Sequence, residues 1–166
     1  VVMYICSIFN MMLFGVVQGA QPIMSFSHGA GKKGDKAALY RLAMGTGLVL
    51  TVFFYGMMLL FGRSLAAFFI KENHELVEMA YEMMRLYFLG FFPVGISLVN
   101  ILYFQVIQRE AKSILLSFIR CIGFVQVFLL LLAFFCGKTG IYAAFFCGEL
   151  CNCILGVVLF RLEKRK

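Results

Sequence analysis

Glu149 is the residue whose placement most demands a chemical explanation. It is a carboxylate in the middle of the apolar run 141–160, where an isolated charge would be costly to bury. It needs a proton or a cationic partner. Arg120 is the matching cation: it stands inside the preceding apolar run 113–136, and its long side chain can bridge to an antiparallel neighbour, so the two are expected to meet. The pair has two readings. It is either a protonation or substrate-cation site facing a cavity, or an ion pair that ties the last two helices together, and the second is simpler.

Uncharged polar residues stand at similar depth. Asn10, Gln18, Gln21, Asn100, Gln105 and Gln126 interrupt apolar runs, and an unsatisfied amide in hydrocarbon costs several kcal/mol, so each is expected to bond to a helix neighbour or to water. The second reading is a cavity lined by these amides, by Ser25 and by Tyr103, Phe104 and Phe92, suited to flat organic cations through stacking and cation–π contact. No other constellation argues for an enzyme or a resident cofactor. Gly29-Ala30-Gly31-Lys32 lacks the GK[ST] ending and the preceding strand of a phosphate loop. His28 and His74 have no second ligand at metal spacing, and the 6 cysteines contain no CxxC pair.

The elements that must position these groups follow from composition. The chain is 63% hydrophobic and 14% charged, against roughly 45–50% and about 25% in a soluble domain. The stretches 1–27 and 42–62 carry no charge at all, and each exceeds the roughly 20 residues that cross a hydrocarbon core. The formal charge of +7 sits in connections and the tail, with no basic face interleaved by aromatics, so the partner is a lipid bilayer and not nucleic acid.

The pattern predicts an all-α, polytopic membrane bundle of about five transmembrane helices, over 1–28, 36–62, 74–107, 113–136 and 141–160. Gly29, Gly31 and the lysines after them end the first, and Asp35 is expected to cap the second. An amphipathic connection carrying Leu65, Phe68 and Phe69 follows, lying in the membrane interface. Asn73 caps the third helix, whose Glu75, Glu78, Glu82 and Arg85 recur at helical spacing opposite an apolar face. Pro93 and Gly95 predict a kink in it, and Pro22 is a second candidate bend. The segment 137–140 is read as a tight connection.

Lys32, Lys33, Lys36 and Arg41 follow the first helix, Arg109 and Lys112 the third, and Arg161, Lys164, Arg165 and Lys166 the last. The positive-inside rule places these in the cytoplasm. Val1 then lies outside, opening within an apolar run without a removable leader, so the chain is expected to continue a longer polypeptide with an odd number of preceding helices.

Three segments carry a resemblance to a known family. Gln21-Pro22-Ile23-Met24-Ser25-Phe26-Ser27-His28-Gly29-Ala30-Gly31 resembles the Q-P-x-x-S-Y-N-x-G-A-G segment of the multidrug and toxic compound extrusion (MATE) transporters, with Phe26 and Ser27 in place of Tyr and Asn. Tyr103-Phe104-Gln105 with Lys112-Ser113 and Ser117 to Arg120, and Gly140 to Phe145 leading to Glu149, agree in order. The resemblance spans nearly the whole chain. It implies the eighth to twelfth helices of a twelve-helix antiporter, the N-terminal lobe and seventh helix lying elsewhere in the same polypeptide, with a proton or sodium ion as coupling ion and small organic cations as substrates. Some relatives bind their cation through acids on the seventh and tenth helices; here the span 74–107 has no acid embedded at membrane depth, so coupling through this lobe is not expected. The alternatives are a lipid-linked saccharide flippase of the same superfamily, which would place several cations within its helices, and a non-transporting membrane scaffold. The expected location is the plasma membrane with a cytoplasmic C-terminus. Reporter domains placed after Arg41 and after Lys166 should both report from the cytoplasmic side; a periplasmic or extracellular signal at either would overturn the orientation.

Overall fold

The computed structural model describes residues 2–30, 33–70 and 74–164. The caps expected at Asn73 and the basic residues Lys32, Arg165 and Lys166 lie outside the described residues. Helix α1 spans Val2–Gly29, α2 Lys33–Phe69, α3 His74–Leu89, α4 Phe91–Val106 and α5 Glu110–Phe118; a π-helical turn, Ile119–Gly123, leads into α6, Phe124–Lys164. No strand occurs among the described residues. Among the described residues, five stretches are long and apolar enough to cross a membrane: Val2–Gly29, Ala38–Phe69, His74–Val106, Glu110–Phe135 and Thr139–Glu163.

Several boundaries differ from those the sequence suggests. Helix α2 begins at Lys33, so Asp35 lies inside its first turn and does not precede it as a cap. The same helix does not stop at Gly62 but runs on to Phe69. The cause is α3, which packs against it: a Cβ on Gly62 would lie 3.1 Å from the Tyr81 ring, Tyr81 donates to the Leu59 carbonyl at 3.3 Å, and Arg63 pairs with Glu78 at 3.1 Å. Within this extra helix Ala66 is buried while Leu65, Phe68 and Phe69 face outward.

The third span breaks at Gly90, one turn before the kink expected at Pro93 and Gly95. Proline acts backwards: lacking an N–H, Pro93 leaves the Leu89 carbonyl without its helical donor, so the opening appears in the preceding turn. Val94 N–H resumes the ladder on the Gly90 carbonyl at 3.2 Å. Pro22, by contrast, sits inside an unbroken α1. After α4 the chain reverses through Gln108, a non-glycine residue at φ 58°, and the fourth span opens at Glu110, three residues ahead of the expected start.

Gly137 turns α6 back on itself. Its φ of 59° and ψ of −134° are open to glycine and strained for other residues, and across this corner the two halves close tightly, with a Cβ on Gly148 coming 2.7 Å from the Val125 Cα. The tight connection expected at 137–140 is thus a single-residue kink.

The third span is the bundle's centre. In its most apolar stretch 61% of residues are buried, against 6% in the span 110–135, which sits at the outside. Phe9 of α1 meets Phe91 at 4.4 Å and Phe54 of α2 at 5.0 Å between ring centroids. Exposed apolar side chains such as Phe26, Phe134 and Phe135 cover the outer faces, as lipid contact requires.

The Gly148 contact yields a prediction. Gly148→Ala should destabilise the chain in detergent by about 1–3 kcal/mol, because the Val125 backbone cannot yield as a side chain would. Gly15→Ala, with nothing within 4 Å of the added methyl, should leave the melting temperature unchanged or raise it. Equal melting temperatures for the two variants would contradict the close approach.

Candidate functional site

The turn that carries Arg120 is π-helical, a wider turn in which one residue is inserted relative to the α-helix. From it Arg120 Nε donates to Glu149 Oε1 at 3.0 Å and to Oε2 at 3.3 Å. Glu149 stands on the second half of α6, buried to 3% exposure, while the Arg120 side chain keeps 15%. The expected encounter across antiparallel neighbours therefore forms, and the Gly137 kink is what brings the two segments alongside. Arg120 also lies over the Phe14 ring of α1 at 6.0 Å, which adds a cation–π contact on its open side.

Beside this pair α3 and α4 run parallel to the second half of α6. A Cβ on Gly90 would fall 2.4 Å from the Phe145 ring, and one on Gly156 would fall 3.0 Å from Asn100 Nδ2. Tyr87 stacks on Phe145 at 4.1 Å and 4°. At the far end Tyr40 of α2 donates to Asn100 Oδ1 at 2.8 Å and stacks on Phe160 at 4.7 Å, while Tyr103 meets Tyr40 at 5.4 Å and Phe160 at 4.8 Å. Asn100 and Tyr103 thus join one polar and aromatic knot.

The other polar candidates do not converge on it. Gln18, Gln21, Ser25, Gln105 and Gln126 are all exposed, and so is Pro22. Each projects from a helix face that the other described spans leave uncovered, so of the two partners expected for the six amides, a helix neighbour or water, Asn100 alone among those six is seen with the first, through Tyr40. Asn10 is half-buried, with Oδ1 unpartnered. Gly95 borders an apolar cavity of about 200 Å³ between α2 and α4, lined by Met44, Leu48, Thr51, Phe92 and Ile96. Phe104 is fully buried.

Sequence reasoning missed four participants. Tyr40 carries no local signal, since its partner lies 60 residues away. Ser97 and Asn152 are buried to 2% and 1% exposure, and each was within reach of a helical-face argument: Ser97 precedes Asn100 by one turn, and Asn152 follows Glu149 by one. Glu163 was read as part of the tail. It accepts from Arg109 Nε at 3.0 Å and also from Lys112, clasping the end of α6 to the turn between α4 and α5.

The burial of the Arg120–Glu149 pair makes its energetics testable. Arg120→Met strands a desolvated carboxylate and should destabilise the chain by about 3–5 kcal/mol, whereas the double variant Arg120→Met/Glu149→Met, with both charges gone, should recover most of that loss. Thermal unfolding in detergent measures both; a double variant as unstable as the single one would show that the two side chains are not coupled.

Comparison with known proteins places this geometry in context. The MatE family model matches residues 1–132 of the chain. The fold matches a solved structure described as the inward-facing conformation of a multidrug resistance MATE family transporter of the MOP superfamily, with a TM-score of 0.89 and 14% identity. The match covers 98% of this chain and 38% of that one. At that identity the likeness is one of fold. No curated protein matches.

Proposed function

Since the chain belongs to the MatE family, we propose that it is part of a cation-coupled secondary antiporter that exports amphipathic organic cations or drugs by alternating access. The observation that carries this reading is the family match over residues 1–132, together with five membrane-length spans among the described residues and the fold of a solved transporter. In such transporters two repeated bundles rock about a central site while an ion gradient drives export. This chain would supply most of one bundle. The exposed Gln21, Ser25, Gln105 and Gln126 are then available to a surface outside the described helices, where a cavity between lobes would use them to hold a flat cation.

Within the bundle the Arg120–Glu149 pair acts as a lock. A lobe that rocks as a body needs its last two spans held together, and a buried pair with both oxygens engaged is a directional way to do so. The coupling ion, a proton or sodium, is bound by other parts of the transporter. The flippase alternative is less well supported: it calls for several cations lining a cavity, whereas Arg120 is committed to Glu149 and Arg85 is exposed beside Glu82 in an open pocket. The protein is expected in the plasma membrane, with its C-terminus in the cytoplasm.

Expression of the full gene in cells stripped of their own drug pumps should raise resistance to a lipophilic cation such as ethidium severalfold, and the gain should vanish when the proton and sodium gradients are collapsed. Unchanged ethidium efflux at normal membrane expression would overturn the transport reading. For Glu149→Gln, an amide that still accepts from Arg120, resistance should be retained; its loss at normal expression would assign the carboxyl to coupling instead.

A further inference from the structure

Four polar atoms of α4 and α6 are buried without a hydrogen-bond partner among the described residues: Ser97 Oγ, Asn100 Nδ2, and both Nδ2 and Oδ1 of Asn152. The three residues are exposed by no more than 2%. Left dry, such groups lose their hydration without replacement, and buried polar groups in folded proteins are almost always paired.

The register of the two helices brings these atoms together. Gly90 lies against Phe145 and Asn100 against Gly156, so along this parallel pair Ser97 falls level with Asn152. Asn152 is one turn before Gly156 and one turn after Glu149, which puts Glu149, Asn152 and Gly156 on one face of α6.

We propose that Ser97, Asn100 and Asn152 form an internal water-binding site between α4 and α6, one helical turn from Glu149, which hydrates the buried ion pair from inside the bundle. The donor set selects the occupant. Two amide N–H₂ groups point positive charge into the site, which a bare cation would not tolerate, while one amide oxygen and one hydroxyl offer acceptors. Water donates and accepts at once and makes about three bonds when buried. Gly156 lets the Asn100 amide approach the backbone of α6: any side chain there would meet it. Water beside Glu149 also lowers the desolvation that opposes a buried pair.

Radiolytic hydroxyl footprinting of the full chain in detergent, with ¹⁸O-labelled water, tests this without any substitution, because radicals form in place at buried water. Cys153 borders the site, whereas Cys6 is sealed in an apolar cluster with Phe9 and Phe88; both thiols are buried. Label should enter Cys153 faster than Cys6, and a Cys153 rate no faster than that of Cys6 overturns the proposal. Asn152→Leu supplies an independent sign. In a dry seam, removing an unpaired amide raises the melting temperature; in a hydrated one it strands Ser97 and Asn100 and lowers it by several degrees. A rise in melting temperature would therefore also overturn the site.

Discussion

A polar group inside hydrocarbon has no solvent to turn to, and in this chain that single condition organises almost everything else. Backbone groups meet it by forming helices long enough to cross the core, and side chains meet it through one another, through backbone carbonyls or through enclosed water. Glu149 finds Arg120, Asn100 finds Tyr40, Ser113 finds the Ile101 carbonyl at 3.3 Å. Each of these bonds joins residues from different spans or across a reversal. The polar residues are few, but they decide which helices are neighbours, since the apolar faces would accept many arrangements about equally well.

The central span shows how that selection works. Helices α3 and α4 are covered by α1, α2 and α6, and they carry Ser97 and Asn100 inward at the same time as Phe88 and Phe91. The break at Gly90 permits the Phe145 ring to approach where a side chain would block it, so Tyr87 and Phe145 can stack. Glycine at 148 does the same between the halves of α6, and the resulting closeness holds the π-helical turn of Arg120 within reach of the carboxylate. Small residues act here as permissions for polar contacts, a division of labour typical of packed membrane helices.

The ends of the bundle are held differently. Glu163 gathers Arg109 and Lys112 at the end of α6, and Arg63 reaches Glu78 where α2 meets α3. These pairs are more exposed than Arg120–Glu149. Pairs of that kind contribute little stability singly, but together with the strained Gln108 turn they fix where each span starts and stops. The lobe so built is the partial counterpart of a transporter bundle, which agrees with its belonging to the MatE family and with the shape it shares with a solved transporter at 14% identity.

From its residues alone the chain already declares a membrane bundle of five spans, because length and lack of charge leave no other way to shelter so much apolar surface. The meeting of Glu149 with Arg120 was legible for the same reason: a lone carboxylate and a lone guanidinium at depth have few alternatives. The extension of α2 past Gly62 and the partnership of Tyr40 with Asn100 were not legible. Each depends on a neighbour remote in sequence, and periodicity reports only which face of a helix is apolar, never which helix will lie against it. The exposed glutamines make the same point from the other side. Their depth could be read from the sequence, but whether another helix covers them is decided by packing between whole spans, where small steric differences at glycines outweigh any local preference.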